Sequence, residues 1–431
     1  MTETAKQGDL SRSERTRSSG LPRAALVAAL VVVSAYFFVR GPYRAWRGTI
    51  DLHVFYSASR AWLLGRNPYD SRDLDAVFRD AGGTRVRDLS LNPPVTFVLL
   101  APLAAVPWPV AEKAWTVLNV LLTGACLWAL ASHLGFRRGE TRTALFVAFA
   151  LALAPFHTAI SQGQLTVAVT ALVVFAFGAE LGGREVLAGV CLGLATALKP
   201  QMALLFVLLH LCRRRWRSLA GAASTLAALG AIALGRMALA GVPWLPSWRE
   251  RLSTFTEGGT GDPTTANPGR QLMINLHVVL HELTDNRLAV NLIVLAFVVV
   301  AGGAVLRASR TRRDSASELL ACSMAAVLSL VGFYNRLYSA TLLVLPLAWC
   351  LLAMADRPLR KPAILVAWAL VPFVVPGAAI MNVLARDGPM RSLAANPWWQ
   401  AATFHQVYAL LVVAGALWWA AWRDGLPERG E

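Results

Sequence analysis

The 431-residue chain is 56% hydrophobic and only 15% charged, with a mean hydropathy of +0.50. A soluble domain carries roughly 25% charged residues, so a soluble globular protein is excluded. The net charge of +16 is not a nucleic-acid footprint, because the arginines cluster between apolar blocks rather than on one soluble face; a basic surface toward anionic lipid headgroups accounts for them.

Residues 1–21 are rich in Ser, Arg and Thr and are expected to be a disordered cytoplasmic tail. The run 22–40 is long and lacks a small-x-small cleavage pattern ahead of Arg40, so it reads as an uncleaved anchor helix. Further apolar blocks fall near 113–134, 143–159, 165–181, 186–198, 200–212, 218–239, 289–306, 316–334, 337–355, 362–382 and 402–422. Many approach the ~20 residues that cross a bilayer core, and lipid offers the backbone no partners, so they must be helices. The five cysteines (Cys126, Cys191, Cys212, Cys322, Cys350) lie within these blocks without a CxxC pair and read as packing residues.

Alternating sides from a cytoplasmic start puts Arg137/Arg138/Arg142, Gly182–Glu185, Arg213–Arg217, Arg307/Arg310/Arg312/Arg313 and Arg357/Arg360/Lys361 on one face, with a tail at 423–431. This is the positive-inside pattern, and it implies an all-α polytopic membrane protein of about twelve spans forming one domain over 22–422. Asn92–Pro109 is apolar but short and interrupted by prolines, so it is expected to be a re-entrant or interfacial helix. The outer face then receives a first loop (41–112), Gln162–Gln164, Lys199, a large loop (240–288), Tyr334–Arg336 and a last loop (383–401).

The unusual polar residues fall on that face. Asp51 opens a segment, Asp51–Asp70, with the spacing of an amphipathic interfacial helix stopped by Gly65 and Pro68. Its carboxylate suits a general base and equally an N-cap, and the two roles are compatible. Gln162-Gly163-Gln164 is either a polar turn or a pair of amides for sugar hydroxyls and phosphate oxygens. Lys199 sits between two apolar runs with no polar loop, a placement that costs about 2.5–3.5 kcal/mol unless a cavity or partner receives it. A phosphate is the expected partner, with snorkelling to headgroups as the competing role. Tyr334, Asn335, Arg336 and Tyr338 combine a bidentate phosphate ligand with aromatics that serve equally as a membrane-interface belt. The large loop is Gly/Thr/Pro-rich and has no P-loop spacing; it is either a mobile cover or a passive connection, with Arg270, Asn275 and His277 as possible contacts. No HExxH, GxSxG or metal-ligand cluster appears on the outer face, and Asp73 and Asp75 read as a chance DxD.

The order Asp51, Tyr56, Gly65, Pro68-Tyr69, then Asn92-Pro93-Pro94, then Gly163-Gln164, then AGVCLGLATALKPQ ending at Gln201 and the RRRW of Arg213–Trp216 resembles glycosyltransferase family 87. The resemblance runs from Asp51 to Trp216 and continues weakly to Leu347. It implies a GT-C membrane enzyme with no cofactor and no metal, a polyprenyl-phosphate sugar donor, and a glycolipid or cell-envelope glycan acceptor. It also implies multi-pass residence in a bacterial plasma membrane, with Asp51 catalytic on the outer face and both termini cytoplasmic. Tyr56, Arg60, Tyr69, Gln162, Gln164, Lys199, Arg270, Tyr334 and Arg336 are the expected substrate contacts. Mannose is the expected sugar; a pentosyl transferase and a lipid-linked sugar flippase are the alternatives. A transporter should show internal repeats, and none is evident.

Overall fold

The computed structural model describes residues 23–84, 86, 90–137, 139–308, 314–377, 380–381, 383–384 and 396–424. The first expected tail, all of the last one beyond Asp424, Arg138, Arg310, Arg312, Arg313 and most of the last outer loop lie outside the described residues. Among the described residues the secondary structure is helical, with one isolated antiparallel bridge between Met273 and Arg336.

In chain order the helices are α1 (Arg23–Arg40), α2 (Pro42–Arg47), α3 (Leu52–Leu63), α4 (Ser71–Asp80), α5 (Pro94–Ala104), α6 (Trp108–His133), α7 (Thr141–Ala152), α8 (Ala154–Gln162), α9 (Thr166–Leu181) and α10 (Glu185–Leu198). The second half adds α11 (Pro200–Cys212), α12 (Trp216–Leu239), α13 (Trp244–Thr256), α14 (Leu276–Leu280), α15 (Arg287–Ala308), α16 (Ser315–Gly332), α17 (Val344–Ala353), α18 (Arg360–Leu370), α19 (Pro397–Thr403) and α20 (His405–Asp424).

Six of the described helices are long and apolar enough to cross a membrane, and α7 with α8 makes a seventh if that pair, bent by 48°, is one span. Shorter apolar helices include α9, α10 and α11. The expected span 362–382 is not one helix: α18 ends at Leu370, and a 3-10 turn at Val371–Phe373 follows, where Pro372 cannot continue the α-helical bonding.

Burial sorts the helices. Buried side chains run around most of α9 and α16, which form the centre of the main apolar core with α10 and α17. By contrast α15 leaves Leu292, Leu295, Val299 and Val300 exposed, and α1 leaves Val31, Val32 and Phe38 exposed. Apolar surface on that scale is covered by lipid or partners in working proteins, and on the longest, most apolar helices a bilayer covers it.

Close packing fixes where α10 runs. A Cβ on Gly189 would lie 1.9 Å from the Ser218 carbonyl oxygen, and one on Gly221 2.6 Å from that of Val186. Small residues on both helices therefore let the α10 and α12 backbones touch, as small-residue stripes do in membranes. Lys199 follows directly at the C-terminal end of α10.

At the other end of these helices an ion-pair network ties α9, α11 and α16. Glu180 meets Arg215 at 2.9 Å and His210 at 3.0 Å, while Glu318 accepts from Arg213 and from Arg215. The arginines come from the RRRWR run, which serves here as a clamp as well as a basic cluster.

Asn92–Pro109 folds as α5, eleven residues beginning after Pro93, and the chain turns at Val106–Pro107 before α6. At 1.5 Å per residue it is about 16 Å long, too short for a hydrocarbon core of about 30 Å. It packs on α3, α10 and α12. α3 is more enclosed than its spacing alone suggests: every residue except Arg60 and Leu63 is buried, with α4 and α5 packed on it and Trp62 Nε1 donating to the Ala233 carbonyl of α12.

Candidate active site

Asp51 is positioned from three directions. Glu112, buried on α6, accepts from the Thr49 amide at 2.7 Å and from the Thr49 hydroxyl at 2.8 Å. The Asp51 amide donates to the Gln162 carbonyl at 2.8 Å. Its carboxylate then accepts from Gln164 Nε2 at 2.5 Å. Asp51 occupies the N-cap position of α3 but makes no side-chain capping bond, so of its two expected roles the local structural one is not used.

Gly163 makes this arrangement possible. It ends α8 in the left-handed conformation, φ +71°, which a residue without a Cβ adopts freely. A Cβ there would come within 2.7 Å of the Leu52 Cβ and 3.0 Å of the Thr49 Cβ. Its carbonyl accepts from Trp115 Nε1 at 3.2 Å. The two flanking glutamines divide the work: Gln162 holds the Asp51 backbone, and Gln164 holds the Asp51 side chain.

Lys199 stands where α10 stops and α11 starts. Pro200 removes an amide and disfavours helical backbone at the residue before it, which accounts for a break without a loop (Lys199 φ −150°, ψ 87°). The ammonium donates to Gln164 Oε1 at 3.2 Å and lies 4.6 Å from the centre of the Tyr338 ring. The side chain is buried, so snorkelling to headgroups does not describe it. Burial brings its pKa down to about 7, with Asp51 opposing that shift and Arg336 adding to it.

Arg336 is set by backbone pairing across two distant segments. Besides the Met273 bridge, the Ile274 amide donates to the Asn335 carbonyl at 2.9 Å, and the buried Asn335 side chain donates to the Ser329 carbonyl at 2.8 Å. The guanidinium reaches the Thr260 carbonyl at 3.5 Å and leaves a buried Nε without a hydrogen-bond partner. Tyr334 hydrogen-bonds with Arg336, and burial raises its phenol pKa.

These groups share one chamber of about 500 Å³, lined by Asp51, Gln164, Lys199, Tyr334, Arg336 and Tyr338. Ser90–Pro93 form one wall, and Arg251, Phe255 and Thr260 reach in from the far side. The chamber thus presents one carboxylate together with three cations, Lys199, Arg251 and Arg336, a charge pattern suited to a phosphorylated ligand and a hydroxyl awaiting deprotonation.

Five expected contacts do not line this chamber. Tyr56 donates to the Val106 carbonyl at 2.6 Å and Arg60 to that of Ala104 at 2.9 Å, so both fasten α3 to the end of α5. Tyr69 donates to the Asn92 carbonyl at 2.7 Å and supports the wall from behind. Gln162 acts through its backbone, and Arg270 is paired with Glu282 at 2.5 Å. Asp73 and Asp75 accept from the Asn67 and Val86 amides and shape the loop around α4, as expected of a chance DxD. Sequence reasoning missed Glu112, whose signal was a lone carboxylate in an apolar helix. It also missed Arg251 and Phe255, which carry no comparable signal, whereas Asn92 stood in the Asn-Pro-Pro motif without being given a role.

Described residues that are helical almost throughout, with several long apolar helices beside a polar chamber, are those of a polytopic membrane protein. Residues 91–333 match the model of glycosyltransferase family 87, which is more than half of the chain. The chain belongs to that family and is a glycosyltransferase. No curated protein and no solved structure matches it. Gln164, Lys199 and Arg251 lie within the matched residues, whereas Asp51, Tyr334 and Arg336 lie outside them.

Proposed function

We propose that this glycosyltransferase transfers mannose from a polyprenyl-phosphate donor to a glycolipid or cell-envelope glycan, with inversion. In this reading the fold is GT-C, about twelve helices span the membrane, and the chamber faces the outer side with both termini in the cytoplasm. The donor phosphate sits against Lys199 and Arg336, and the acceptor hydroxyl sits against Asp51. The acceptor oxygen attacks the anomeric carbon, the bond from that carbon to the phosphate oxygen breaks, and polyprenyl phosphate leaves. Asp51 takes the hydroxyl proton. The two cations stabilise charge on the departing phosphate.

The observation that supports this reading most directly is that Asp51, Lys199 and Arg336 line one chamber. Asp51→Asn is the test, with labelled polyprenyl-phosphate-mannose and membranes holding endogenous acceptor. General-base contributions run ~10²–10⁴-fold, so transfer should fall by at least about a hundredfold while the donor KM changes little. Activity near wild type in that variant would remove Asp51 from the mechanism.

A further inference from the structure

A second pocket, about 240 Å³, lies across Tyr334 from the chamber and is lined by Asn275, His277, His281, Asn291 and Arg287 as well as by Tyr334 itself. Three observations give it a ligand. Asn275 is buried, and its Oδ1 has no hydrogen-bond partner. The only cation lining it, Arg287, is already paired with Asp262 at 3.1 Å. His277 hydrogen-bonds with Asn291, and burial together with the adjacent His281 lowers its pKa, so the imidazole is neutral at pH 7.

The two compartments therefore differ in chemistry. The chamber holds Lys199, Arg336 and Arg251, whereas the second pocket offers amides, imidazoles and a phenol, and its one guanidinium is already paired. Neutral groups that each donate and accept match the hydroxyls of an unphosphorylated sugar. The volume is below the ~300–1,000 Å³ of drug-sized sites and suits a compact polar group rather than a lipid tail.

We infer that the Asn275/His277/Asn291 pocket is the acceptor subsite, binding a neutral sugar residue of the acceptor glycan, with Tyr334 as the partition between it and the donor phosphate. This rests on the transferase reading above, and it identifies which side of the chamber the acceptor enters from. A ring held there presents a hydroxyl past Tyr334 toward Asp51, and the orphaned Asn275 oxygen accepts from a second hydroxyl.

Carbethoxylation of His277 by diethylpyrocarbonate, followed residue by residue by mass spectrometry on the full-length protein in nanodiscs, tests this. Methyl α-mannoside should slow the modification by about threefold at twice its Kd, and inorganic phosphate should not. Asn275→Ala should abolish the protection, as should Asn291→Ala, a change at an exposed position that the fold tolerates. If neither methyl α-mannoside nor methyl arabinofuranoside slows the reaction, or if phosphate slows it equally, the subsite is wrong. Protection is read without any transfer, so a failed donor assay beside clear protection would overturn the donor and leave the pocket standing.

Discussion

The Gln164 amide donates to the Asp51 carboxylate at 2.5 Å and, through its other end, accepts from Lys199 at 3.2 Å. One neutral side chain therefore bridges the acid and the cation and ties both to the same turn. The carboxylate is held where it lines the chamber, and the ammonium keeps further N–H donors for an incoming anion.

Gln164→Leu removes both contacts at similar size. Transfer should drop at least about tenfold in kcat, since the base loses its orientation, an effect of the kind that positioning carries. Gln164→Glu should do worse, because it sets a second carboxylate beside Asp51. Steady-state kinetics on the two variants, with donor KM recorded separately, distinguish positioning from binding.

Lys199 predicts a pH dependence with a definite sign. Its pKa is lowered to about 7, so it is charged below that pH and loses its charge above it. The donor KM should rise as pH climbs through 7, and Lys199→Arg should flatten the profile, because guanidinium stays charged. Between about 7 and the ordinary lysine value of about 10.4, the unfolded chain binds the extra proton. Stability should therefore increase with pH across that window. Thermal unfolding in detergent at a series of pH values checks the second statement independently of activity.

Gly163→Ala should destabilise the fold by about 1–3 kcal/mol for the left-handed backbone alone. The contact with Leu52 adds to this, and its relief moves α3 and Asp51 away from Gln164. A lower melting temperature together with lower kcat is the expected result. A loss of stability with full activity would show that the α8–α3 contact does not set the carboxylate.

Glu318→Ala separates structure from chemistry, because the network that it anchors is at the far end of the helices. Removing one partner of a buried pair typically costs about 3–5 kcal/mol, and here it leaves Arg213 with no acceptor in the network. Unfolding should shift sharply, while the donor KM of the surviving folded fraction stays near wild type.

The residues that the sequence made legible share one property. Asp51, Gln164, Lys199, Tyr334 and Arg336 are polar groups at the ends of apolar blocks, where an unsatisfied charge is costly and a cavity is the natural resolution. Tyr56 and Arg60 on α3, and Tyr69 and Arg270 in turns, lie in the polar connections between apolar blocks, where partners are plentiful. Three of them end on backbone carbonyls of 92–106, and irregular backbone leaves no trace in side-chain pattern. The enclosure of α3 was hidden for the same reason: spacing shows which side of a helix is polar, but not whether neighbouring segments fold over it. Conversely, the break at Lys199-Pro200 was readable, because proline chemistry forces it.

Glu112 fastens Thr49, and with it Asp51, to a helix well downstream, while Arg336 reaches its place only once it has paired with the segment around Met273. Asp51 leaves the ribosome early and has no defined orientation until Glu112 and then Gln164 follow; the opposing cation arrives later still. A truncated or stalled chain would carry the carboxylate, and even the whole stretch shared with the family, without a working chamber. Catalytic competence therefore reports that membrane insertion has run past Tyr338, so partial products in the bilayer remain inert toward donor and acceptor.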